Sequence, residues 1–155
     1  MKTGFRIVLI ALVATTLTGC ELVGGNGYPT ETARARAQWM AHQDGDYSFV
    51  LTRLCECLQA GDYWIQVEDG RISIVQQTWD HAFLPEEAFD AFPTIEDLFD
   101  VIDRAIQESA AELHYSFDPD TGYPASIEID WVRPAVDDEI TYRVRSAVPG
   151  VTIPD

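Results

Sequence analysis

The chain has 155 residues, with 26 Asp and Glu against 10 Lys and Arg, for a formal net charge of −16. So acidic a chain lacks the clustered cations that a nucleic-acid partner requires, and that class of function is excluded. Its 46% hydrophobic and 11% aromatic content is that of a packed domain, not of a disordered tail.

The first six residues carry two positive charges, Lys2 and Arg6, ahead of the apolar run Ile7-Val8-Leu9-Ile10-Ala11-Leu12-Val13-Ala14. That run is well short of the ~20 residues needed to span a bilayer and has the length of a signal-peptide core. Leu17-Thr18-Gly19-Cys20 follows and resembles a bacterial lipobox. The resemblance implies lipid on the Cys20 thiol, cleavage before it, and membrane anchoring by several acyl chains, which hold where one holds only marginally. The alternatives are an ordinary secretory leader with an incidental cysteine, or an uncleaved anchor. Glu21, rather than aspartate, follows the cysteine, which in similar Gram-negative lipoproteins implies the outer membrane facing the periplasm. The expected organisation is therefore a signal peptide at 1–19, the lipidated cysteine with a glycine-rich tether at 20–29, and a single domain at 30–150. Loss of the leader removes two of the ten cations, leaving eight against 26 anions and a net charge of −18.

Residues 30–43 read as a first helix, with Thr30 as its cap and Ala33, Ala37, Met40 and Ala41 at helical spacing beside Trp39. Asp44-Gly45-Asp46 ends it. Tyr47, Phe49, Leu51, Cys55 and Cys57 then alternate on one face of an interior strand, which Arg53 interrupts. Residues 63–68 and 71–75 form a hairpin about Asp69-Gly70, a pair suited to the positive φ angles of a two-residue turn. Between 76 and 93 the pattern breaks down into a covering loop with one helical turn at 85–89. Thr94 caps the second helix, whose Ile95, Leu98, Phe99, Ile102 and Ile106 make a stripe that reads as core. Three alternating segments follow: Leu113, Tyr115 and Phe117; Ile127, Ile129 and Trp131; and Ile140, Tyr142 and Val144. The predicted class is α+β, an antiparallel sheet of about six strands with both helices on one face. The capped helices start 64 residues apart, at Thr30 and Thr94, so two αβββ-like halves are expected.

Cys55-Glu56-Cys57, the Val67-Glu68-Asp69-Gly70 turn, Thr94-Ile95-Glu96-Asp97-Leu98-Phe99, Asp118-Pro119 with Gly122-Tyr123-Pro124, Ile129-Asp130 and Asp137-Asp138-Glu139 occur in one order. Over residues 40–148 that order resembles an uncharacterised family of secreted or lipid-anchored bacterial domains, a domain of unknown function. The resemblance implies no activity, cofactor or catalytic residue. More loosely, repeated helix-plus-strand units are similar to small secreted inhibitor and peptidase-associated domains, an analogy of fold alone.

Cys55 and Cys57 are the one chemically pointed pair. On an extended strand their α-carbons lie ~6.6 Å apart, at the edge of disulfide reach, so bridging requires a bulge or a turn. A structural disulfide is expected, against buried thiols or a redox or metal role; neither zinc-ligand nor Cys-x-x-Cys spacing is present. Asp118-Pro119-Asp120-Thr121-Gly122 lacks most of a calcium loop, and Asp137, Asp138 and Glu139 belong at the far end of an intervening strand, 125–133, so both read as turns. His42, His81 and His114 are scattered and fall in no hydrolase or metalloprotease motif, although His81 adjoins Asp80. The expected role is a non-enzymatic module without cofactor, anchored to the membrane through Cys20 and binding an envelope protein or peptide. The first surface to consider comprises Trp79, His81, Phe83, Phe89 and Phe92. The competing readings are a thiol-redox or metal-handling protein using Cys55 and Cys57, and an inhibitor or immunity-type protein with an acidic face.

Overall fold

The computed structural model describes residues 28–133 and 138–150, with the side chains of residues 28–30 left aside. The leader, Cys20, the tether to residue 27 and Asp137 lie outside the described residues, as does the side chain of the expected cap Thr30. The elements are α1 (Tyr28–His42), β1 (Tyr47–Leu54), β2 (Gly61–Glu68), β3 (Arg71–Gln77), a 3₁₀ helix (Glu86–Ala91), α2 (Ile95–Gln107), β4 (Glu112–Phe117), β5 (Pro124–Asp130) and β6 (Ile140–Pro149). The six strands form one sheet in the order β3-β2-β1-β6-β5-β4, every pair antiparallel. This is the expected α+β class. Each half is a helix followed by a three-stranded meander, and the halves join where β1 pairs with β6.

Local chemistry accounts for the elements. Asp69 and Gly70 both take positive φ, 49° and 71°, and Glu68 pairs with Arg71 across them, as a two-residue hairpin turn demands. Thr94 caps α2 through a reciprocal pair of bonds. Its hydroxyl accepts from the Asp97 amide at 3.1 Å, and the Asp97 carboxylate accepts from the Thr94 amide at 2.9 Å, so two otherwise unpaired donors are satisfied. One face of the sheet then carries Tyr47, Phe49, Leu51, Tyr63, Ile65, Val67, Val75, Ile127, Ile129, Tyr142 and Val144. Trp39, Ile95, Leu98, Phe99, Ile102 and Ala105 of the helices close the same core. Each fully buried leucine or isoleucine side chain stabilises by about 1.5–3 kcal/mol, and this shared face fixes both helices on one side.

Several expectations need correction. The first helix starts at Tyr28 rather than Thr30, so Thr30 is not its cap. The alanine stripe is not its buried face: Ala33, Ala37 and Ala41 are exposed, Met40 is 61% exposed, and Thr32, Ala35 and Trp39 are buried. An alanine has little surface to bury, whereas Trp39 packs edge-on against both Tyr47 and Tyr123, and the large ring sets the rotation of the helix. β1 stops at Leu54, so Cys55 and Cys57 lie in a turn and not on the strand face. Arg53, the charge that breaks the apolar face, donates to the Ala91 carbonyl at 2.7 Å and lies over the Tyr142 ring at 5.9 Å, tying the end of the 3₁₀ helix to the sheet. Ile106 is only partly buried. β5 is Pro124–Asp130 rather than 125–133, yet it still separates the Asp118 turn from Asp138 by the length of a strand. Residues 76–93 are not merely a covering loop. Their first part pairs with the outer edge of β3 through an isolated bridge, Gln76 with Phe83.

Candidate functional site

Much of the chain's acidic chemistry is spent on holding the fold. Glu96, on the first turn of α2, accepts from Trp39 Nε1 at 2.8 Å, from Gln43 Nε2 at 3.2 Å and from the Tyr47 hydroxyl. That hydroxyl in turn accepts from the Ile95 amide at 3.1 Å. Burial, with the Glu96 carboxylate second, pushes the Tyr47 phenol well above its ordinary value. One carboxylate thereby ties α1, β1 and α2 together, so Thr-Ile-Glu-Asp-Leu-Phe is a folding device.

The Asp118 turn has a similar role. Asp118 Oδ1 accepts from the amides of Asp120 and Thr121 at 3.1 and 2.9 Å and from the Thr121 hydroxyl at 2.7 Å. Desolvation raises the Asp118 carboxyl, but the bonds from Thr121, Asp120 and Tyr123 outweigh it and leave the group below its ordinary value. The turn also docks on α1. Gln38 Nε2 donates to the Pro119 carbonyl at 3.0 Å, and Gly122 lies against the helix backbone. At the opposite end of β5, Asp138 Oδ2 accepts from the Val132 amide at 2.7 Å. Among the described residues no group of three or more His, Cys, Asp or Glu is placed to hold a metal ion.

Cys55 and Cys57 sit at disulfide distance, with Cα atoms 5.2 Å apart, closer than on an extended strand because they follow the end of β1. Leu54 and Leu58 flank them, 47% and 97% exposed. His42, His81 and His114 are exposed on separate elements. The Asp80 carboxylate accepts from the Ala82 amide at 3.0 Å, a local turn bond next to His81.

The five aromatic and histidine positions singled out from the sequence separate. Trp79 and Phe83 are 77% and 64% exposed, whereas Phe92 is buried and packs edge-on to Tyr63 at 4.6 Å. His81 is exposed with a φ of 57°, and Phe89 is half-buried. Phe89 and Phe92 instead line a groove of roughly 680 Å³ between residues 70–72, at the start of β3, and the 3₁₀ helix. Ile72, Phe89 and Phe92 supply its apolar surface; Glu86, Glu87, Asp90 and Asp97 line it against a single cation, Arg71. A second depression of roughly 710 Å³ shares Asp90, Phe92 and Asp97 and continues along α2 past Asp100, Asp103 and Glu108, with Arg104 as its cation. Arg36 of α1 engages two of these carboxylates, Asp100 at 2.9 Å and Asp103 at 2.7 Å.

Sequence reasoning missed this groove. A signal was available in the acids at 86, 87, 90, 97, 100, 103 and 108, three of which recur every third residue along α2. What could not be read was that the 3₁₀ helix stands beside β3.

A family model described as "Family of unknown function (DUF6174)" matches residues 31–149. No curated protein and no solved structure matches the chain.

Proposed function

The chain belongs to this family of unknown function, and from its own residues we propose that it is a lipid-anchored envelope protein whose domain binds a protein or peptide partner without catalysing a reaction. The observation that carries the reading is the acidic groove with an apolar floor beside the start of an edge strand. Further support comes from the distribution of polar chemistry. The carboxylates that its motifs contribute at Glu96, Asp97 and Asp118 are engaged in internal hydrogen bonds, and the histidines do not converge. Cys20 supplies the anchor, and Glu21 after it points, for a Gram-negative source, to the outer membrane facing the periplasm.

Cross-linking in intact cells tests the binding reading. The only lysine in the chain is Lys2, lost with the leader, so a photo-reactive amino acid placed in turn at positions 58, 79, 87 and 89 replaces amine chemistry. Repeated capture of one envelope protein is expected; repeated recovery of none refutes it. Radioactive fatty acid incorporation, lost in Cys20→Ala, tests the anchor, and label that persists in the variant overturns it. The thiol-redox reading predicts that Cys55→Ser/Cys57→Ser abolishes partner capture and phenotype, whereas the binding reading expects both to survive.

A further inference from the structure

The chain begins a seventh strand and abandons it. Leu84 donates its amide to the Val75 carbonyl at 2.9 Å, and Gln77 donates to the Ala82 carbonyl at 2.9 Å. Residues 82–84 therefore lie antiparallel along the outer edge of β3. Pro85 comes next, with φ −71° and ψ 152°, and the chain leaves the edge for the 3₁₀ helix. β3 is the last strand on its side of the sheet. Among the described residues nothing pairs with the outer edge of residues 71–74, and the groove is lined by residues 70–72 at the start of that stretch. An open strand edge presents backbone donors and acceptors ready for another extended chain.

The groove's chemistry specifies that chain. Residues Ile72, Phe89 and Phe92 give an apolar surface, and Glu86, Glu87 and Asp90 are exposed carboxylates at its rim. Asp97 Oδ2 is already engaged in the α2 cap. Long aliphatic stems ending in a positive charge match this profile, because lysine and arginine lay their methylenes on apolar surface while the charged end reaches outward. Strand addition supplies backbone hydrogen bonds, and alternate side chains supply selectivity. Arg71 lines the same groove and repels a further cation, and the open stretch of edge matches a short segment of roughly four residues, ~13 Å long.

We propose that residues 71–74 of β3 and the neighbouring acidic groove bind an extended, lysine- or arginine-bearing segment of a partner protein, added antiparallel to β3 in line with residues 82–84. This rests on the binding reading and names the chemistry of its partner.

The test uses the full chain in non-ionic detergent with three synthetic peptides. The first alternates Lys or Arg with Val, the second replaces the cations with Glu, and the third is the cationic peptide N-methylated at alternate amides. Calorimetry is expected to show binding of the first alone, weakened about tenfold or more by high salt and by Glu87→Lys/Asp90→Lys. Hydrogen exchange of the amides in residues 71–74 slows in the complex. Equal binding of the methylated peptide overturns strand addition, and equal binding of the glutamate peptide overturns the charge assignment. Both substitutions lie on exposed 3₁₀ positions, and an unchanged circular dichroism spectrum confirms that they leave the fold intact. If no peptide binds while a photo-probe at Leu58 or Trp79 captures a partner, this inference fails and the binding reading stands. If neither binds, both fail.

Discussion

Gly122 is the position where the structure makes its sharpest quantitative demand. It has φ +85°, and a Cβ built there would lie 2.5 Å from the Ala35 carbonyl oxygen, 2.9 Å from Gln38 Cβ and 3.1 Å from the Trp39 amide nitrogen. Two of these are backbone atoms of α1, which cannot rotate aside as a flexible side chain would. In Gly122→Ala the left-handed backbone costs about 1–2 kcal/mol, and forcing the helix away from the turn adds about 1–3 kcal/mol by analogy with overpacking. The sum, roughly 2–5 kcal/mol, is a large share of the 5–15 kcal/mol typical of a folded domain. Gly70 is the internal control: φ +71°, with nothing within 4 Å of the added carbon, so Gly70→Ala costs only the backbone contribution. Urea unfolding of the full chain in detergent, followed by tryptophan fluorescence, reads both, since Trp39 stacks edge-on to Tyr123 at 6.0 Å. The expected order is wild type, then Gly70→Ala, then Gly122→Ala well below it. Equal midpoints for the two variants at equal slope would refute the proposed docking of the Asp118 turn on α1.

Glu96→Gln leaves Trp39, Gln43 and Tyr47 with an uncharged acceptor that cannot serve all three, and is expected to destabilise by about 1–3 kcal/mol; an unchanged denaturation midpoint would contradict the three-way tie. Thr94→Ala removes the α2 cap at a cost of about 1 kcal/mol, measured the same way, and a cost within error of zero argues against the reciprocal bonds. Asp118, held below its ordinary value, contributes stability that is complete above the unfolded value of 3.8 and is lost as pH falls through the lower folded value. Asp118→Asn should therefore be less stable near neutral pH and converge on wild type in acid; parallel stability curves down to acid pH would argue otherwise. Cys55→Ser/Cys57→Ser opens a loop so small that the loss is at most about 1.5 kcal/mol on the entropy relation, and a collapse of the fold would show the pair to be a major staple.

The local elements were legible because their causes are local. Asp69-Gly70 closes its hairpin through backbone preference, Thr94 caps α2 with a residue three positions on, and the alternation from Tyr47 to Leu51 marks an interior strand whose Tyr47, Phe49 and Leu51 enter the core. The α+β class follows from those periods. What sequence could not supply was anything set by a distant neighbour. The alanine spacing of α1 pointed to one face, but Trp39 rotated the helix so that Ala35 meets Gly122, 87 residues away. Glu96 reads as a first-turn acid suited to a helix N-terminus, and only the packing of α1 and β1 against α2 makes it the acceptor for three side chains. The alternation through Cys55 and Cys57 suggested a longer β1, whereas the chain turns where pairing with β2 and β6 ends. The groove is the largest such case. The acids at 86, 87 and 90 and the strand at 71–74 are separate features in the sequence, joined because the chain leaves the edge pairing after Leu84 and its 3₁₀ helix stands beside the start of β3. Composition and periodicity therefore determined the elements and the class, while contacts across dozens of residues decided which face each element buries and where a site can form.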